Sequence, residues 1–123
     1  MTRYEACCKL KEWGLEQLGN NWVGNDGTIG NLNYSLDFPE REPVAISPLE
    51  SLLAFAESIA EKNWPGKWRR GLLHTVSMMT TNGVFEAYVE VQHKDVYGCC
   101  NQGTSNESDW WAVYNLIAEM MEE

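Results

Sequence analysis

Residues 71–92 read GLLHTVSMMTTNGVFEAYVEVQ, and the reading of this stretch decides the fold. Asn82-Gly83 is a two-residue turn signal, because both central residues of a type I′ turn need positive φ and these two tolerate it. Beyond it the chain alternates, with Phe85, Ala87, Val89 and Val91 on one side and Glu86, Tyr88, Glu90 and Gln92 on the other. The pattern predicts an antiparallel hairpin with one apolar face and one wet face. A two-residue turn sets the register, placing Thr81 opposite Val84, Met79 opposite Glu86, Ser77 opposite Tyr88 and Thr75 opposite Glu90. Leu72, His74, Val76 and Met78 then join the apolar face, which something must cover. Downstream, Lys94-Asp95 predicts a second tight turn into a strand at Val96–Cys100, giving a three-strand meander over about 72–100.

The cover comes from three predicted helices. Thr2-x-x-Glu5 is a capping box that opens a helix over about 3–18, stopped by Gly19-Asn20, with Tyr4, Cys7, Cys8, Leu15 and Leu18 on one stripe. Trp13 falls on its polar side. Ser47-Pro48-Leu49-Glu50 joins an N-cap to a proline at the first helical position, predicting a helix over about 48–62 that Pro65-Gly66 ends. Thr104-x-x-Glu107 caps a last helix over about 105–121, whose stripe is Trp110, Val113, Tyr114, Ile117 and Met121. Between the first two helices, GNNWVGNDGTIG reads as turns. Leu32, Tyr34, Leu36 and Phe38 alternate with polar residues, so a strand is expected at about 31–38. Residues 1–123 are therefore expected to form a single α+β domain, a two-layer sandwich of a small antiparallel sheet and three helices.

The net charge of −9 disfavours general nucleic-acid binding, which needs a basic surface to neutralise phosphates, and favours a basic protein partner. With charges through MTRYEACCKLKEWG and no long apolar run, neither a signal peptide nor a membrane span is expected, and a cytoplasmic protein is. The cysteines come as adjacent pairs, Cys7-Cys8 and Cys99-Cys100, which reads as reduced thiols rather than a disulfide framework.

Chemistry concentrates in two places. Lys62–Arg70, KNWPGKWRR, holds four of the nine basic residues and two of the six Trp. Trp64, Lys67, Trp68, Arg69 and Arg70 there could hold an anion or stack on a planar ligand, or equally pair with the chain's own carboxylates. The other place is a histidine pair. In the predicted register His74 faces Val91 and His93 faces Leu72, diagonal neighbours about 7–8 Å apart. Cys100, opposite Val89, falls roughly 13 Å from His93, too far to share a tetrahedral site. The Gly24, Gly27 and Gly30 spacing lacks the Lys-Ser/Thr of a P-loop and the strand-to-helix context of a dinucleotide fingerprint. No metal, cofactor or catalytic residue is assigned. The expectation is a non-enzymatic interaction protein, of inhibitor or immunity type, meeting a basic partner and compatible with a homodimer. The competing expectation is a small-molecule binder or small enzyme with a pocket near Trp68, Arg69, Arg70 and His74.

Overall fold

The computed structural model describes residues 1–17, 19–75, 83–94 and 96–122, with backbone alone at several positions that include His74, His93, Cys99 and Cys100. The class is α+β, with helices and two three-stranded antiparallel sheets. The chain divides into two compact units, Met1–Pro48 and Leu49–Glu123.

In the first unit, helix α1 (Arg3–Glu12) opens at the predicted capping box, Thr2 Oγ1 accepting from Glu5 N–H at 3.2 Å while the Glu5 carboxylate accepts from Thr2 N–H at 3.4 Å. It buries Ala6, Cys7 and Leu10. It ends at Glu12 and not at Leu18, because Gly14 takes a φ of 102°. Gly14 N–H then donates to Lys11 O at 3.0 Å and Leu15 N–H to Leu10 O at 2.9 Å, the two bonds of a Schellman stop. Strands β1 (Trp22–Val23), β2 (Ile29–Gly30) and β3 (Val44–Ala45) form a minimal sheet with β1 in the middle. Gln17 ties the chain to it, its Oε1 accepting from Ala45 N–H at 2.9 Å.

The expected strand at 31–38 is a short helix instead, α2 (Leu32–Asp37), followed by a single 3-10 turn at Pro39–Arg41. Leu36 is 71% exposed and Phe38 38%, so alternation here does not mark a buried face. Asn33, Ser35 and Asp37 fit a pleated ladder poorly. Positions i and i+2 in a row also contain i and i+4, the helical spacing.

In the second unit, α3 (Leu49–Asn63) lies where the proline-led start places it and buries Leu52, Ala56, Ile59 and Ala60. Strands β4 (Trp68–Thr75), β5 (Val84–His93) and β6 (Val96–Ser105) form the predicted meander with β5 central. The register differs. Thr75 pairs with Val84 rather than Glu90, and Leu72 with Ala87. Asn82 and the predicted pairs of Ser77, Met79 and Thr81 lie outside the described residues. Moving Thr75's partner from Glu90 to Val84 is an even displacement, so each residue keeps its face while every neighbour changes. Ala87 and Val89 are accordingly buried as expected.

His93 pairs with Val96 across the predicted second turn, but β6 runs on to Ser105. A bulge at Val89/Glu90 sets Glu90 against Cys99 and Val89 against Asn101, so Asn101 takes the place expected for Cys100. Past the bulge the inward parity switches, and Asn101 and Gly103 are buried. Since Thr104 belongs to β6, it does not cap the last helix. Helix α4 (Asp109–Glu122) starts after Ser108, whose Oγ accepts from Trp111 N–H at 3.3 Å. A Cβ at Gly103 would strike the α4 backbone at Ala112, Asn115 and Leu116, so α4 lies directly on this glycine. One turn apart on α4, Asn115 Nδ2 donates to Thr104 O at 2.9 Å and Glu119 accepts from Gln102 N–H at 2.7 Å, occupying ladder groups of an edge strand. The core of this unit lies between α3, α4 and the inner face of β5.

Candidate functional site

The Lys62–Arg70 tract is held by its own surroundings. Trp64 N–H donates to Ala60 O at 2.8 Å, Gly66 turns with a φ of 70°, and Lys67 O accepts from Gln92 N–H at 2.7 Å to start β4. The Trp68 indole N–H donates to Glu61, Arg70 pairs with Glu57, and Arg69 pairs with Glu90. Glu57 and Glu61 stand one turn apart on α3, and Trp68 and Arg70 two residues apart on β4. Both spacings are close to 6 Å, so the two rows mesh as rungs. Trp64 and Trp68 are half-buried and Lys67 is exposed.

The structure separates the predicted histidine pair. His74 is opposite Phe85 and His93 opposite Val96, so the two backbones lie toward opposite ends of β5, eight residues apart along it or about 26 Å at strand rise. The diagonal contact expected from the tighter register is lost. Among the described residues no three His, Cys, Asp or Glu converge as a metal would require.

A concave site exists elsewhere, in the first unit. A cleft of about 710 Å³ opens between α1 and the segment 39–44, within the size range of ligand sites. Tyr4, Cys8, Lys11 and Glu12 form its helical wall at i, i+4, i+7 and i+8, and Pro39, Glu42, Pro43 and Val44 form the other. The second wall is stiff, with proline fixing φ at two positions and Glu42 set in the left-handed region at 47°. Tyr4 Oη donates to Glu42 O at 3.1 Å and joins the walls. Burial pushes the Tyr4 phenol up to about 12, with the Cys8 thiol beside it adding to the effect. Burial drives the Cys7 thiol up to about 11, against a smaller pull from Arg3 and with a lesser push from Cys8. A second depression of about 310 Å³ on the other side of the Tyr4, Cys8 and Glu12 ridge is edged by Met1, Glu5 and Lys9.

None of the cleft residues is nominated by the sequence. Tyr4, Cys7 and Cys8 fall on one predicted stripe, yet only Cys7 is buried. The available signal is the pair Pro39 and Pro43 around a polar tripeptide, which marks a rigid wall without saying what it faces. No protein family, curated protein or solved structure matches the chain.

Proposed function

We propose that the chain is a non-enzymatic interaction protein, of the inhibitor or immunity-type accessory class, whose acidic surface engages a basic protein partner. The observation that carries this reading is the pairing of its own charges. In a chain of net charge −9, the two arginines best suited to hold an anion are taken up by Glu57 and Glu90, and the Trp68 N–H by Glu61. The net field is negative, which draws in cationic partners and speeds their encounter. The adjacent cysteine pairs fit a reducing, cytoplasmic setting.

The test is a thermal-shift panel of oligolysine, inorganic phosphate, ATP and zinc chloride. A ligand that binds only the native state must raise the melting temperature. Oligolysine is expected to raise it at low ionic strength and to lose most of that effect at about 0.5 M NaCl, where screening cuts exposed charge interactions. A rise with phosphate or ATP that disappears in Arg69→Ala or Arg70→Ala would overturn the reading in favour of an anionic-ligand pocket at Trp68, Arg69, Arg70 and His74.

A further inference from the structure

We propose that the outer edge of β4 pairs with the same edge of a second copy, antiparallel about Gly71, to make a two-fold dimer with one continuous six-stranded sheet. The inference is independent of the basic-partner reading and starts from the parity of the ladder. Gln92 N–H bonds to Lys67 O, so Lys67 and every second residue after it, Arg69, Gly71 and Leu73, turn their backbone groups toward β5. Trp68, Arg70 and Leu72 turn theirs outward, where no further strand lies and, among the described residues, nothing bonds to them. Such an edge is a template for another strand unless something blunts it. The opposite edge is blunted: β6 is bulged opposite Val89/Glu90, and Asn115 and Glu119 of α4 occupy its ladder groups at Thr104 and Gln102. β4 pairs with β5 without a bulge, and WRRGLLHT contains no proline. Charge on an edge also deters pairing, but here Glu90 and Glu57 of the same chain neutralise Arg69 and Arg70.

The edge fits its own copy. Because its outward groups alternate, an antiparallel self-pairing must match them in pairs, which places the two-fold axis through a residue and not between two. An axis through Arg70 sets two guanidinium side chains directly opposite, which is destabilising. An axis through Leu72 carries the partner of Trp68 past Thr75, where β4 ends. An axis through Gly71 sets Arg70 against Leu72 and Trp68 against His74, so the whole strand takes part. Tyr88 faces Gly71 from β5 and lays its ring over it, since a Cβ there would strike the ring's Cζ and Oη. The tip of that ring stands where the axis passes, so the residue across from it has the least room for a side chain. A second Gly71 needs none, and the two phenols meet across the axis.

The experiment follows the mass of the full chain, 14.0 kDa, by sedimentation equilibrium up to about 1 mM, the range of weak specific association. Doubling of the mass is expected, and it should come at lower concentration in about 0.5 M NaCl than at low salt, because two copies of net charge −9 repel. In the dimer the amides of Trp68, Arg70 and Leu72 should exchange at least about tenfold more slowly than in dilute monomer, while those of Arg69, Gly71 and Leu73 are protected in both. Leu72→Pro removes an N–H that β5 does not use, the one kind of strand position proline tolerates, and should leave a folded monomer. Leu72→Lys keeps the N–H but sets an ammonium against Arg70 of the second copy, and should also abolish the dimer, whereas Leu72→Val should keep it. A single-chain mass at every concentration overturns the proposal. So does a dimer that survives in Leu72→Lys, or one in which the amides of Trp68, Arg70 and Leu72 exchange as fast as in the monomer.

Discussion

Tyr4 is where the chemistry of single residues is most exposed to measurement. The native chain holds its phenol proton up to about 12, against an ordinary 10.0, because burial penalises the phenolate and the Cys8 thiol adds to that. The unfolded chain releases the proton first, so this contribution to stability is complete below pH 10 and is lost as the pH rises through 12. Cys7, raised from 9.0 to about 11 by burial, adds a loss in the window just below. Urea midpoints measured at pH 8 and pH 11 should therefore fall less in Tyr4→Phe than in the parent. An equal fall would show that the phenol does not titrate as its surroundings imply. The glycines make a second contrast at this scale. Gly103→Ala should cost about 3 kcal/mol, since its methyl would collide with α4 backbone that cannot yield. Gly98→Ala, in the same strand with open space around it, should change stability by less than about 0.5 kcal/mol. Composition treats the two alike. Only the neighbour across the interface separates them.

Among the elements, β5 keeps the face pattern its alternation announces, yet its partner on β4 is displaced. Alternation has period two and cannot distinguish registers that differ by an even number. The bulge opposite Val89 is equally invisible, because one extra residue in GCCNQG leaves no compositional mark. It moves Cys100 out of the expected row and turns Asn101 inward, where its side-chain carbonyl has no hydrogen-bond donor among the described residues. An unpaired buried acceptor of this kind costs about 1–3 kcal/mol. The rungs between α3 and β4 can be tested by a double-mutant cycle on Arg70→Ala and Glu57→Ala. With both side chains more than a third exposed, the coupling should be about 0.5–1 kcal/mol and should shrink at 1 M NaCl. A coupling indistinguishable from zero at low salt would mean the tract is not held by this pair and remains open to a ligand.

At the scale of the whole molecule, charge is the property that sequence and structure carry in common. The pI is about 4.6, so the net negative charge declines as the pH is lowered toward that value. Binding of oligolysine, measured calorimetrically, is expected to weaken steadily as pH is lowered from 7.5 toward 5, together with its salt dependence. Affinity that stays level across that range would assign the attraction to apolar contact instead. Among the described residues no helix is long and apolar enough to cross a membrane.

What the sequence by itself determined is local. It settled the capping box at Thr2 and Glu5, the proline-led start of α3, the wet and apolar faces of β5, the second turn of the meander, and the sign of the charge. Each of these follows from interactions between residues a few positions apart, which periodicity and turn chemistry record. The tertiary structure alone decided the strand register, the bulge, the helical state of 32–37, the partners of Arg69 and Arg70, and the cleft beside α1. Those depend on which distant residues meet, and Tyr4 reaches Glu42 across a stretch of chain whose own pattern says nothing of the encounter. The cleft lined by two prolines and a tyrosine is therefore a feature that no local pattern in the sequence announces.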